Sequence, residues 1–167
     1  MEFATDRMRV RRIEGSDLNA MLEVYGDLEL MRFVGDSSAI SPEDCARWID
    51  ITLDNYEKRG YGLFLVEALD SGEHLGFVGI THPGGQIEPE IKYVLRREHW
   101  GKGLAQELVA ATCGHAHQVW NLEVIIATVH PDNDVSHHVL QKAGFIRVAD
   151  RVDEDGTTVV WEHRLLK

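Results

Sequence analysis

The sequence has few cysteines, few basic residues and no long apolar run. Its two cysteines, Cys45 and Cys113, lie far apart and in no Cys-x-x-Cys pair, so we expect reduced core residues on helices and no disulfide. Lys and Arg number 17 against 28 Asp and Glu, which gives a formal net charge of −11. This balance argues against a nucleic-acid partner, because such binding needs a basic surface. An acidic surface instead attracts cationic molecules such as amines.

No apolar stretch reaches the length of a membrane span, and the first residues lack the apolar segment of a signal peptide. We therefore expect no membrane partner and a cytoplasmic location. The chain also has no internal repeat, low-complexity stretch or linker-like segment. Its 167 residues predict a single domain over 1–167, large enough to bury one sizeable core.

The spacing of apolar residues and turn signals predicts seven strands and four helices in the order β-α-α-β-β-β-α-β-α-β-β. The strands are expected over 8–13, 62–69, 75–81, 88–95, 122–129, 145–152 and 157–165, and the helices near 16–25, 41–60, 103–119 and 133–143. This order lacks the regular strand–helix alternation of a Rossmann fold. It favours an α/β (α+β) domain, with a mixed, mostly antiparallel sheet of about seven strands flanked by about four helices.

Three details of the predicted helices can be tested in a structure. Ser16 is expected to cap the first helix, and Leu53 to lie on the buried stripe of the second. On the third helix, His115 is expected to pack in the core and His117 to lie on the surface.

A glycine-containing loop lies between the third strand of the central run and the third helix. Gly101-Lys102-Gly103 opens that helix, where unpaired backbone N–H groups and the helix dipole favour an anion. A tight strand-to-helix turn without a ligand is the alternative. A Walker loop is excluded, because Arg96 takes the place of its first glycine and no Ser or Thr follows Lys102. A dinucleotide fingerprint is excluded because Gln106 replaces its third glycine.

The stretch from Trp100 to Ala105 resembles motif A of the GNAT superfamily of N-acetyltransferases, which has the form Q/R-x-x-G-x-G/A. The wider run over 90–103 is similar to the RimJ/RimL-type branch, with Lys92 in place of a usual glycine and Arg97 in place of a usual proline. The run over 133–145 is similar to the same branch's N-x-x-S-x-x-V-L-x-K-x-G-F pattern. The resemblance covers nearly the whole chain.

This resemblance implies an enzyme that uses acetyl-CoA as co-substrate and needs no metal. The backbone that would hold the pyrophosphate is that of Trp100, Gly101, Lys102, Gly103, Leu104 and Ala105. Backbone donors near Val94 and Leu95 would polarise the thioester carbonyl. Asn133 and Ser136 would also bind the cofactor, with Asn133 on the pantetheine arm. The alternative is that Asn133 is a simple helix cap and Ser136 a first-turn polar residue.

The implied reaction is direct attack of an amine on the thioester in a ternary complex, which requires a base. Glu90 is the first candidate, on a strand that often carries the base in this family. The alternative is a structural glutamate paired with Lys92. Glu88 and His82 are reserve candidates.

The departing thiolate also needs a proton. Many GNAT enzymes use a tyrosine on the last helix, but Leu140 occupies that position here. Ser136, or a water that it holds, is the remaining candidate. The missing tyrosine leaves a second hypothesis open, in which the chain is a non-catalytic acyl-CoA sensor.

The acceptor is expected to be a primary amine, either a protein N-terminus or a small molecule. Its recognition is expected to involve residues 28–40, with Phe33, Trp48 and Tyr56 as possible lining residues; core packing is the alternative for Trp48 and Tyr56. The sequence leaves monomer and homodimer open.

A cluster of histidines and acids suggests a metal site at first sight. It comprises His130, Asp132, Asp134, His137 and His138. Adjacent histidines on a helix point to different faces, however, whereas helical metal ligands are spaced like those of His-Glu-x-x-His. We therefore expect no metal, and a metal-dependent hydrolase is a distant third hypothesis.

Overall fold

The computed structural model describes residues 1–33 and 39–166, which form one mixed sheet of eight strands with four α-helices. The strands are β1 (Phe3–Ala4), β2 (Met8–Arg12), β3 (Leu63–Ala68), β4 (His74–Thr81), β5 (Glu90–Leu95), β6 (Val124–Val129), β7 (Ile146–Asp153) and β8 (Gly156–Arg164). The helices are α1 (Leu18–Tyr25), α2 (Pro42–Arg59), α3 (Leu104–Gln118) and α4 (Asp134–Lys142). The predicted order is confirmed, and the two-residue β1 adds an eighth strand at the edge.

The sheet has two antiparallel parts joined at one parallel pair. Strands β1 to β5 follow one another as an antiparallel meander, and β8 lies between β6 and β7. The parallel pair β5–β6 has one register position, Glu90 opposite Ile126, supported by the Ile126 N–H donating to Pro89 O at 2.9 Å. Beyond that position the two strands separate, so the sheet opens toward their carboxyl ends.

Alternation along β5 divides its side chains between the two faces of the sheet. Ile91 and Leu95 join the core formed with α3 and α4, whereas Val94 joins a second core formed with α1 and α2. Lys92 shares the face of Val94 but is 43% exposed. The face that carries Val94 is therefore covered at one end of β5 and open to solvent at Lys92. None of the described helices is long and apolar enough to span a bilayer.

The first helix begins differently from the prediction. Ser16 does not cap it; a 3₁₀ turn over Gly15–Asp17 precedes α1 and is capped by Glu14. Asp17 accepts the Glu14 N–H at 2.8 Å and two guanidinium bonds from Arg11 at 2.9 Å each. Pairing with Arg11 draws the acidic residue inward, so the turn forms around Asp17.

Two burial expectations on the helices are wrong, and others are confirmed. Leu53 is 40% exposed while Thr52 is buried, because the inward stripe of α2 lies one residue earlier. His117 is buried and places Nδ1 2.5 Å from Leu122 O, whereas His115 is half-buried and stacks on Phe3. The Ser41 cap, the left-handed Gly60 at the end of α2 and the buried free thiols of Cys45 and Cys113 are as expected.

Candidate active site

The loop between β5 and α3 folds back onto the end of β5. Gly101 and Gly103 both have φ of 75°, a left-handed conformation that side-chain-bearing residues rarely adopt. Between these glycines and β5, the Trp100 indole N–H donates to Leu95 O at 2.8 Å. The two glycines are therefore required by the backbone path, independently of any ligand.

Backbone donors collect at the start of α3. Gly103 is its N-cap residue and supplies no side-chain cap, so the first-turn N–H groups have no partner inside the helix. The first intrahelical bond is donated by the Glu107 N–H to Gly103 O at 3.2 Å. Leu104 is buried and anchors this turn in the core, while Lys102 is exposed. The loop thus presents a rigid, positively polarised backbone of the kind that binds phosphate groups.

An ion pair between Arg7 and Glu107, which the sequence alone does not indicate, holds this loop in place. Arg7 Nη2 lies 2.6 Å from Glu107 Oε2, and Arg7 Nη1 donates to Lys102 O at 2.8 Å. Thr5 Oγ1 donates to the other Glu107 oxygen at 2.6 Å. Although burial alone raises it, these bonds hold the pKa of Glu107 below its ordinary value. Arg7 and Glu107 are 100 positions apart, so no local pattern pointed to them.

The opening of the sheet brings the predicted cofactor residues toward one edge. In a parallel pair the carboxyl ends of both strands meet at the same edge, so the loop after β5 and the start of α4 after β6 face each other. Val94 and Leu95 lie beyond the last paired position, at the mouth of the gap. Asn133 caps α4, and its Oδ1 accepts the Ser136 N–H at 3.2 Å.

Glu90 lies at the closed end of this gap. Its side chain is 3% exposed, and Lys92 Nζ lies 2.5 Å from its Oε2. The ion pair that was the structural alternative for Glu90 is therefore present. On the open face beside Ile126, the register partner of Glu90, lies a groove of about 300 Å³. It is lined by Glu88, Ile126, Val148, Ala149, Asp150, Arg151, Val160 and Glu162.

His82, the other reserve base, has both ring nitrogens occupied. Its Nδ1 lies 3.0 Å from Gln86 O, and because a carbonyl only accepts, Nδ1 carries the proton. Nε2 then accepts from the Tyr61 hydroxyl at 2.9 Å. This arrangement gives His82 a structural role and leaves no free lone pair for a substrate proton.

His137, from the suspected metal cluster, also has both ring nitrogens in contact with protein partners. His137 Nδ1 accepts from the Trp161 indole N–H at 3.1 Å, and Nε2 contacts His130 O and Pro131 O at 3.2 and 3.3 Å. These bonds tie α4 to β8 and to the end of β6. Among the described residues, no three His, Cys, Asp or Glu side chains are grouped to hold a metal ion.

Of the aromatic residues suggested for the acceptor pocket, Tyr56 lies in the core and Trp48 is partly buried against it. Tyr56 accepts the Ile13 N–H at 3.0 Å and donates to Leu63 O. Trp48 packs edge-on against Tyr25, with ring centroids 5.2 Å apart. Part of the expected acceptor segment, residues 34–38, and the side chain of Phe33 lie outside the described residues.

Comparison with known proteins identifies the family. The model of the acetyltransferase (GNAT) domain matches residues 7–146. An uncharacterized N-acetyltransferase of Bacillus subtilis strain 168, YoaA, is 31% identical over 144 residues, which cover 84% of this chain and 80% of YoaA. The chain belongs to the GNAT acetyltransferase family. It is therefore an acetyltransferase, as the two sequence motifs predicted.

Solved GNAT structures share the whole fold. The ribosomal-protein-S5-alanine acetyltransferase of Vibrio fischeri superimposes with a TM-score of 0.78 at 19% identity, over 97% of this chain and 95% of its own. The spermidine N-acetyltransferase of Vibrio cholerae, solved with CoA and spermine, gives a TM-score of 0.78 at 18% identity, over 94% and 95%. At these identities the likeness establishes the fold alone.

Proposed function

We propose that this GNAT protein transfers the acetyl group of acetyl-CoA to a primary amine by direct attack within a ternary complex. The proposal rests on one observation: the loop after β5 and the start of α4 face each other across the gap in the sheet. The glycine loop at the end of β5 presents backbone donors, and the capped start of α4 lies opposite. A thioester cofactor laid between them would have its pyrophosphate on the loop and its pantetheine arm beside Asn133.

The groove on the proposed acceptor side carries carboxylates that can bind a cationic amine. The groove beside Ile126 contains the carboxylates of Glu88, Asp150 and Glu162, opposed by Arg151. Arg164 lies 2.8 Å from Glu162 and Arg147 lies 3.0 Å from Asp150, so Glu88 is the carboxylate of this groove that has no ion pair among the described residues. The whole chain carries a net charge of −11, which raises the local concentration of cations around it. The spermine in the structure of the Vibrio cholerae enzyme is an amine of this chemical kind.

In the proposed reaction the amine nitrogen attacks the thioester carbonyl carbon. The C–N bond forms, the oxyanion is held by backbone donors near Val94 and Leu95, and the C–S bond then breaks. Glu90 is the proposed base that takes the ammonium proton, directly or through a water; Lys92 must move aside for this, and its exposed position allows it. Ser136, half-buried in the first turn of α4, is proposed to give its proton to the departing sulfur and to regain, through a water, the second proton that the nitrogen loses as the amide forms.

The test is a thiol-release assay on the purified protein. Acetyl-CoA is mixed with spermidine, an aminoglycoside or a peptide with a free N-terminus, and free thiol and acetylated product are measured together. A peptide of the same sequence with a blocked N-terminus and no lysine is the matched control. We expect thiol release that equals amide formation for at least one cationic amine. CoA binding without thiol release from any amine would instead describe a sensor and contradict the proposal.

A further inference from the structure

Tyr93 carries a buried hydroxyl that the fold does not use. The residue lies on β5 opposite Val78, on the face that packs with α3 and α4, and its ring contacts the main hydrophobic core. Its hydroxyl oxygen is fully buried, yet none of the described residues forms a hydrogen bond of standard geometry with it. Buried polar groups nearly always have a partner, so an orphan of this kind needs a physical reason.

The neighbour of this hydroxyl is Ser136. Burial raises the pKa of Tyr93, and an interaction with the Ser136 side chain opposes that rise. Ser136 lies in the first turn of α4, and α4 packs in the same core as Tyr93, although the Tyr93 hydroxyl forms no hydrogen bond of standard geometry with a described residue. In ligand-free enzymes such contacts are often long or poorly aligned and tighten when the substrate binds.

The chemistry of the two groups decides the direction of the bond. A phenol is the better donor, and a serine hydroxyl has one proton and two acceptor lone pairs. If Tyr93 donates to Ser136 Oγ, the serine proton remains free to point elsewhere. The Ser136 backbone is already held, because its N–H donates to Asn133 Oδ1 at 3.2 Å.

We propose that Tyr93 is a positioning residue whose hydroxyl donates to Ser136 Oγ and so directs the Ser136 proton at the departing sulfur. This inference rests on the proposed function. Tyr93 exchanges no proton in this role; it orients the group that does. When such a supporting hydrogen bond is removed, the hydroxyl that it orients is no longer held in the productive geometry.

The experiment compares Tyr93→Phe, Ser136→Ala and the double variant with the wild-type protein, using thiol release and thermal unfolding. We expect Tyr93→Phe to lower kcat about tenfold, the loss typical of one hydrogen bond, with the KM for acetyl-CoA within about twofold of wild type. Because Tyr93 acts through Ser136, the double variant should be no slower than Ser136→Ala alone.

Thermal unfolding separates this role from simple packing. Removing an unsatisfied buried oxygen should leave the Tm of Tyr93→Phe unchanged or higher. The matched control is Tyr61→Phe, whose phenol bonds to His82 at 2.9 Å, and its Tm should fall. Wild-type kcat in Tyr93→Phe, wild-type kcat in Ser136→Ala, or effects that multiply in the double variant would each overturn the inference while leaving the acetyltransfer intact. Absence of turnover in the wild-type protein would overturn the proposed function itself, and this role of Tyr93 with it.

Discussion

Replacing Gly103 by alanine tests whether the loop before α3 binds the pyrophosphate. Gly103 has φ of 75°, and among atoms of the described part of the chain a Cβ there would meet the Arg7 guanidinium at 3.6 Å, an ordinary contact. The substitution therefore acts through the backbone. An L residue in this left-handed region costs roughly 1–2 kcal/mol.

Gly60 is the matched control because alanine there would suffer the same backbone strain, while the residue lies at the end of α2 and outside the loop before α3. It ends α2 with φ of 82°, and no atom of the described residues lies within 4 Å of the Cβ that alanine would add. Both variants should lose similar stability. At about 2–4 °C per kcal/mol for a chain of this size, each Tm should fall by roughly 2–8 °C.

Cofactor affinity should separate the two variants. Relief of the strain at Gly103 rotates the peptide groups that start α3, and a backbone donor to a charged phosphate is worth roughly 1.5–3 kcal/mol. Loss of one such donor weakens binding roughly 10- to 100-fold, since 1.4 kcal/mol is a factor of ten. Gly60→Ala should keep the wild-type Kd for CoA.

Isothermal titration with CoA and with pantetheine, which lacks the pyrophosphate, measures this difference. We expect Gly103→Ala to weaken CoA binding and to leave pantetheine binding unchanged. Equal Kd values for CoA in the Gly103 and Gly60 variants would refute the assignment of the loop. An equal loss for both ligands would show that the substitution had deformed the whole cleft.

Four further predictions concern the base, the first turn, the loop support and the charge. Glu90→Gln should lower kcat by roughly 10²- to 10⁴-fold at unchanged CoA affinity, while Glu88→Gln retains turnover; the reverse pattern in the thiol assay would move the base to Glu88. Bonds from Arg11 lower the pKa of Asp17 below its ordinary 3.8, so its stabilising effect is complete above that pH and is lost as pH falls through the depressed value. Asp17→Asn should therefore lower the Tm at pH 7, and the gap to wild type should close in strong acid; a gap that widens there contradicts the linkage. Arg7→Met should weaken CoA binding severalfold by releasing Lys102 O, which titration would detect; an unchanged Kd would remove its supporting role. Raising the salt concentration from about 0.02 to 0.2 M should not weaken CoA binding. Salt screens any attraction between CoA and cations of the site, but it also screens the repulsion between CoA and the net charge of −11. A large loss of CoA affinity at high salt would indicate free cations in the site.

The elements of the fold could be predicted because their signals are local. Ser41 and Gly60 mark the ends of α2 by capping chemistry that four or five residues determine. The order of strands in the sheet has no such signal. Packing of the whole chain determines that β8 lies between β6 and β7. It also determines that β5 and β6 separate after Glu90.

The site divides in the same way. A tight turn at Gly101 and Gly103 was predictable from the sequence, because glycine is the residue that most readily adopts the positive φ found there. The Arg7–Glu107 pair, the partners of His82 and the orphan hydroxyl of Tyr93 depend on residues distant in sequence. The error on α3 has a similar cause: His117 is drawn inward by Leu122 O and His163, which a helical period alone does not reveal.

The charges around the loop explain how an acidic protein can bind an anionic cofactor. The guanidinium of Arg7 is neutralised by Glu107, and that of Arg97 by Asp27 and Glu29, at 2.6 to 3.0 Å. These cations are therefore already matched by carboxylates and add little net attraction for a phosphate. Their geometric effect differs, because Arg7 fixes the carbonyl of Lys102 and with it the turn that aims the N–H groups of α3. In the proposed binding mode, the cofactor is then held by the exposed Lys102 and by oriented backbone dipoles acting at hydrogen-bond distance, which the net charge of the chain opposes only weakly. A basic cleft would attract any polyanion, whereas oriented backbone donors favour a polyanion whose oxygens fit the turn.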